Sequence, residues 1–255
     1  LLHKFKRDSR YSRNGKGVRM AYDRIASSYD LHYRDNFSVA ENAVIKQYLA
    51  RKGFTNGRVL DLGCGTGLLI TMFNIPPTYY AGLDVSEGML TVARRKFPNH
   101  HFVQASMDNI PFGDAEFDRV ICLFGGISYV KSHHLSATIR EIFRVLRAGG
   151  RLFIMAYGKA HYCKKEDYIL HDQKIERHLF TNRELFDLVF PLFPVSKVIG
   201  MNSAVELYRR ASLSIKSLMF LMQAEIDTVG HEIPDFCQYQ IAIGEKIIGE
   251  TSFKH

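Results

Sequence analysis

VLDLGCGTG, residues 59–67, decides the fold of this chain. An apolar run leads into Asp61 and then into three glycines at alternate positions, Gly63, Gly65 and Gly67. Glycines spaced this way let the backbone turn sharply and let a ligand approach the main chain without Cβ obstruction. The pattern G-x-G-x-G differs from the dinucleotide fingerprint G-x-G-x-x-G, which seats a pyrophosphate on bare N–H groups. A carboxylate two residues before the first glycine would repel such an anion. Asp61 suits a cation instead, an α-ammonium or a sulfonium.

Downstream, Leu68 to Phe73 read as a short helix ended by Ile75-Pro76-Pro77, and Tyr79 to Asp84 as a second strand closing on an acid. Strand, glycine turn, helix and strand make a βαβ unit with a right-handed crossover. SEGMLTVARRKF follows, a helix that Ser86 could cap. The third strand is His101–Gln104, and the fourth is Phe117–Phe124, an apolar run suited to burial on both faces. It runs into Gly125-Gly126. A helix over Ser132–Arg147 has Ile139, Ile142, Phe143 and Leu146 at helical spacing, with Gly149-Gly150 after it and a fifth strand ending near residue 158.

In this order the parts resemble the class I S-adenosylmethionine-dependent methyltransferases, from about residue 20 to 158 and again, weakly, over 236–248. The resemblance implies a Rossmann-like α/β fold. A seven-stranded, mostly parallel sheet carries helices on both faces and an antiparallel last strand, with N-terminal cap helices and a helical insertion between strands six and seven. It implies S-adenosyl-L-methionine as cofactor, with S-adenosyl-L-homocysteine as product. Asp61, Gly63, Cys64, Gly65 and Gly67 would form the cofactor loop. Asp84 would accept both ribose hydroxyl protons, a bidentate role few side chains fill, with Val85 and Met89 beside it. In the loop ASMDNIPFGDAEFD (105–118), Ser106 falls where the family carries an acid; either it makes a weaker adenine contact or Asp108 takes over, and Met107 can serve through its backbone N–H. Leu123 and Phe124, after Cys122, would lie beside the sulfonium.

A chain of 255 residues with 46% apolar content suffices for one α/β core. No run reaches the ~18 apolar residues of a membrane span. Cys64, Cys122, Cys163 and Cys237 are scattered, without paired or zinc-ligand spacing, and read as reduced thiols in a cytoplasmic protein with no metal. The net charge of +8 is concentrated in residues 1–19, which alone carry +6. That segment reads as a solvated, partly disordered leader, with residues 20–255 as one methyltransferase domain: cap helices over 20–52, cofactor core over 57–158.

MAYDRIASSYDLHY (20–33) resembles the family's N-terminal cap helix. Tyr22 and Tyr29, seven apart, would share one helical face and close over the methionyl end. Past the fifth strand, Thr181–Phe190 reads as a helix and Val195–Asn202 as a strand. Ala204 to about Val229 reads as a long helix with an apolar stripe, within an insertion over 204–232. The stripe fits a substrate lid, ordinary core, a homodimer seam or a membrane-surface face, and the lid is the favoured reading. FCQYQIAIG (236–244) is the last strand.

Methyl transfer demands in-line alignment and loss of a proton from the acceptor. Tyr129 after strand four and His161 after strand five are the best-placed catalytic candidates; His133, His134 and His178 are further histidines of this half. Motifs for amide, adenine or cytosine methylation are missing. The leading reading is a methyltransferase acting on N or O of a small-molecule acceptor, not on nucleic acid. The alternatives are an RNA or protein methyltransferase docking through the basic leader, a quinone-type C-methyltransferase, and a non-catalytic S-adenosylmethionine-binding partner subunit.

Overall fold

The computed structural model describes residues 13–159, 167–170, 173–203, 208, 213–227 and 237–247. Its elements, in chain order, are α1 (Arg13–Ile25), α2 (Asn36–Arg51), β1 (Val59–Leu62), α3 (Leu68–Phe73), β2 (Tyr80–Asp84), α4 (Glu87–Lys96), β3 (His101–Gln104), β4 (Phe117–Cys122), α5 (Ser132–Val145), β5 (Leu146–Tyr157), β6 (Asp167–Leu170), β7 (Gln173–Glu176), α6 (Asn182–Val189), β8 (Val195–Met201), α7 (Ile215–Asp227) and β9 (Tyr239–Glu245).

The sheet runs β3-β2-β1-β4-β5-β9-β8. β1 to β5 pair in parallel, and β9 lies antiparallel to both β5 and β8. All four residues of β1 are buried, as its apolar run requires. Successive side chains serve opposite faces: Val59 and Phe153 join one apolar layer, Leu60, Leu152 and Ile154 the other. The chain leaves β1 toward β2 and returns to its other side as β4. The two strands therefore flank the topological switch point, where open α/β sheets bind ligands.

Helix α2 starts at a capped turn, Asp35 accepting from the Ser38 N–H at 3.0 Å. It buries Val44, Ile45, Tyr48 and Leu49 in the first layer. Helix α7 packs on it, contributing Leu218, Met222 and Ile226 to that layer, with Arg51 paired to Asp227 at 3.0 Å. The 204–232 insertion is accordingly core in its described part rather than a lid: four side chains of α7 are buried and none lines the large cavity described below. Residues 204–207, 209–212 and 228–232 lie outside the described residues.

Two N-terminal expectations change. The boundary at residue 20 falls inside α1, which begins at Arg13, so residues 13–19 belong to the folded cap. The helix read over 20–33 ends at Ile25 and is followed by a 3₁₀ turn, Tyr29–Tyr33, so Tyr22 and Tyr29 do not share one continuous helical face. The hairpin β6–β7 is an addition that the sequence reading did not contain. The helix read from Ala204 to about Val229 is not continuous, since residues 213 and 214 are non-helical and α7 starts at Ile215. β5 starts at Leu146, ahead of the Gly149-Gly150 pair read as preceding it, and β9 at Tyr239 rather than 236, while the remaining elements match to within two residues. Among the described residues, no helix is long and apolar enough to cross a membrane.

Candidate active site

At the C-terminal edge of the parallel strands lies a cavity of about 1630 Å³. Of the fourteen residues expected to hold a cofactor, Gly67 alone is not in its lining. Gly67 has φ +88°, caps α3, and a Cβ there would come within 2.7 Å of the Phe97 ring. Its task is to let the loop pack. Gly65, at φ +53°, has nothing within 4 Å of where a Cβ would stand, and it faces the cavity. This is open space that a ligand can fill against bare backbone.

Asp84 closes β2. One carboxylate oxygen accepts from the Gly65 N–H at 2.9 Å and the other from the Ser86 N–H at 2.9 Å. Helix capping, the competing use, falls to Ser86, whose hydroxyl accepts from the Met89 N–H at 3.1 Å. Each Asp84 oxygen keeps a lone pair for a second donor. Burial raises its pKa, against the backbone N–H bonds that lower it.

Asp61 is 3% exposed and accepts a hydrogen bond from the Tyr80 hydroxyl at 2.9 Å. Burial pushes its pKa to about 7, with the Asp84 charge adding to the rise and the Tyr80 bond opposing it. A buried carboxyl so placed is a half-made site for a cation: the missing positive charge would come from the ligand.

The loop after β3 is stapled from α5. Glu141 accepts from the Ile110 N–H at 2.9 Å, and Arg144 donates to the carbonyls of Ile110 and Phe112, both at 2.8 Å. Ser106, Met107 and Asp108 all line the cavity, and Asp108 pairs with His134 Nδ1 at 2.7 Å. His134, read from sequence only as one of several further histidines, is therefore the partner of the candidate adenine-side acid.

After β4 the chain turns through two left-handed residues, Phe124 (φ +47°) and Gly125 (φ +80°). The turn delivers Leu123, Phe124 and Tyr129 to the cavity. Backbone strain of this kind costs about 1–3 kcal/mol and collects at functional sites. His161 lies outside the described residues. His178 lines the cavity, with its Nδ1 3.3 Å from the Ser132 hydroxyl.

The cap closes from above. Tyr22 and Tyr29 have ring centroids 6.1 Å apart, so the bend after Ile25 still brings them together. Asp23 accepts from the Ser86 hydroxyl at 2.6 Å and from the Gly88 N–H at 2.8 Å, at the start of α4. Asp30 accepts from the Thr66 hydroxyl at 2.5 Å and from Lys96 Nζ at 2.7 Å. Sequence reasoning missed both acids, since the partners of Asp23 lie 63 and 65 residues away and those of Asp30 lie 36 and 66. A Cβ at Gly88 would stand 2.8 Å from the Asp23 Cα. Gly88→Ala is accordingly expected to displace α1 and weaken cofactor binding about tenfold, at little cost to the melting temperature; calorimetry and a thermal melt check it.

Comparison with known proteins agrees with this geometry. A methyltransferase-domain model matches residues 59–150, from β1 into β5 and across both loops of the switch point. Over these residues the chain is similar to the class I S-adenosylmethionine-dependent methyltransferases. The ubiquinone/menaquinone biosynthesis C-methyltransferase UbiE of Pseudomonas putida is 35% identical over 159 residues, 58% of this chain and 60% of that protein. An uncharacterised protein of Methanocaldococcus jannaschii is 31% identical over 155 residues, 60% of this chain and 57% of that one. The chain thus spans less than two thirds of the length of these relatives. Among solved structures, a Thermotoga maritima methyltransferase described as a possible histamine N-methyltransferase shares the fold at TM-score 0.63 and 20% identity, over 89% of this chain and 99% of that one. The DhpI–SAH complex does so at TM-score 0.63 and 17% identity, over 92% and 98%.

The cofactor that this similarity implies is S-adenosylmethionine, and the residues present fit it. Asp84 retains acceptor capacity for a diol, Gly65 leaves room against the main chain, and Asp61 is a buried acid with no cation paired to it among the described residues. A cation binds best to ionised Asp61, so binding below pH 7 must expel a proton. Cofactor affinity is expected to rise with pH up to about 7 and then level off, with proton release measured by calorimetry in buffers of different ionisation enthalpy. Asp61→Asn should abolish the release. Without ligand the sign reverses for stability. The folded state holds a proton that the unfolded state, with its carboxyl near 3.8, gives up, so this group costs stability as pH rises from about 4 to about 7.

Proposed function

We propose that this chain transfers a methyl group from S-adenosylmethionine to a nitrogen or oxygen atom of a small-molecule acceptor. The observation that carries the reading is that the cavity does not stop at the cofactor loops. It continues past Phe124 and Gly126 to Tyr129, Tyr157 and Tyr239, and on to Arg177 and His178 beyond β7.

When bound, the cofactor supplies an electrophilic methyl carbon on a sulfonium. The chain's own residues hold and align. Asp84 and the Gly65 main chain fix the ribose end, Asp61 holds a positive group, and the left-handed turn at Phe124-Gly125 sets the wall beside the reacting atoms. The cap rings of Tyr22 and Tyr29 keep water out. Burial raises the pKa of Tyr22, Tyr29 and Tyr157 well above the ordinary tyrosine value, each reinforced by neighbouring phenols. These hydroxyls stay protonated near neutral pH and act as donors and walls, not as bases. Alignment of reactants in a dry site supplies most of what a displacement of this kind needs.

A second reading, quinone-type C-methylation, is favoured by the similarity to UbiE. Incubation with S-adenosylmethionine labelled at its methyl, an amine and hydroxyl panel and a demethylquinol separates the two. Label on N or O of a panel member supports the first, and label on ring carbon replaces it. Bound cofactor with no transfer to any acceptor would leave the non-catalytic reading.

A further inference from the structure

We propose that the acceptor is a cationic amine, held in a cage of tyrosine rings at the far side of the cavity. The methyltransferase reading is needed for its methylation but not for its binding.

The rings form a continuous chain drawn from distant parts of the sequence. Phe124 lies 6.1 Å from Tyr239, Tyr239 5.3 Å from Tyr157, Tyr157 6.3 Å from Tyr129, and Tyr129 5.8 Å from Tyr22. All five line the cavity. Tyr33, 5.0 Å from Tyr29, extends the set on the cap. Tyr239 belongs to the first core layer, and Phe124 and Tyr157 pack against it, so the rings serve the core as well as the cavity. The two core layers are built mainly from Leu, Ile, Val and Phe, which carry no hydroxyl in need of a partner. What clustered rings offer a ligand is negative π faces, and those faces attract cations.

The cavity holds both signs of charge beside the rings, and the two side chains act oppositely on an incoming ammonium. The protein already places a cation against the cage, the Arg177 guanidinium lying 4.9 Å over the Tyr157 ring. Glu41, 7% exposed, lines the same cavity. Asn202 Nδ2 donates to it at 2.5 Å. The Tyr157 hydroxyl feels both side chains, the Arg177 charge lowering its pKa and the Glu41 charge raising it, after burial and the Tyr129 and Tyr33 phenols. Rings together with a buried carboxylate favour an ammonium over a neutral or anionic acceptor of the same shape.

The chemistry balances without an added reactant. The ammonium loses one proton to water, and the freed lone pair on nitrogen forms the new N–C bond. The methyl carbon–sulfur bond breaks with its electron pair passing to sulfur, leaving a neutral thioether and an N-methylated ammonium.

The test is calorimetry on the full chain saturated with S-adenosylhomocysteine, using three probes of one shape: 2-phenylethylammonium, 2-phenylethanol and 3-phenylpropanoate. The ammonium should bind at least about tenfold tighter than the alcohol, in line with a desolvated cation–π seat. Tyr157→Phe should keep that preference and Tyr157→Leu should lose it. Arg177→Gln, which removes the resident cation, should tighten the ammonium and weaken the carboxylate. Equal binding of ammonium and alcohol, or preference for the carboxylate, overturns the cage. So does a Tyr157→Leu variant that weakens S-adenosylmethionine but not S-adenosylhomocysteine, because the rings would then serve the cofactor's own sulfonium. S-adenosylhomocysteine is titrated first and separately. Its failure to bind would refute the methyltransferase reading, while the three probes still judge the cage on the protein alone.

Discussion

Asp84→Ala should reduce S-adenosylmethionine affinity at least about 100-fold, the loss of two charge-assisted hydrogen bonds worth roughly 1.5–3 kcal/mol each. The substitution has a second consequence, because the same carboxylate accepts from the N–H groups of Gly65 and Ser86. Removing it unties the glycine loop from the start of α4. Asp84→Asn separates the two effects. One amide oxygen can still accept, but its NH₂ group faces an N–H donor and repels it. Calorimetry should place Asn between wild type and Ala. Wild-type affinity in Asp84→Ala would remove Asp84 from the cofactor site altogether.

Gly125→Ala should be the most destabilising single methyl in this part of the chain. At φ +80° any Cβ is strained, and this one would sit 2.2 Å from the Tyr157 ring. Left-handed strain of about 1–2 kcal/mol adds to overpacking of about 1–3 kcal/mol. For a domain of this size that means a fall of roughly 5–15 °C in melting temperature, at about 2–4 °C per kcal/mol. Relief has one direction, outward movement of Tyr157, which would open the ring chain between Tyr129 and Tyr239. A pair, Gly125→Ala with Tyr157→Ala, should recover part of the lost stability. A wild-type melting curve for the single variant would show that the β4 turn is more pliant than its geometry implies.

Local grammar made the core of this site readable. Glycine at 63, 65 and 67 and an acid at 61 are adjacent in sequence, and Asp84 closes the very next strand, so strand, loop and ligand chemistry could be inferred together. Ser86 as cap followed from the same short-range rules, as did the helix start at Thr181, where the structure adds a capping box with Glu184. What stayed hidden depended on separation. Asp23, Asp30 and the Asp108–His134 pair find their partners across the fold, and no periodicity announces them. The hairpin β6–β7 is two four-residue strands with little apolar contrast. Glu41 did leave a trace: it interrupts the stripe of Phe37, Ala40, Val44, Ile45 and Tyr48 on α2, a polar residue where helical spacing asks for an apolar one. The insertion helix failed as a lid for a plain reason. An apolar stripe states that a face is covered, not by what, and here α2 covers it.

The clasps of Asp23 and Asp30 bear on timing as much as on shape. Both join the cap to segments that line the cavity, one at the start of α4 and one at Thr66 in the glycine loop. A cap ordered beforehand spares a bound molecule the entropy of ordering it, and it also lengthens residence, since departure has to wait for the clasps to part. Exchange of spent cofactor, rather than the displacement itself, is where the pace of such a molecule would be set.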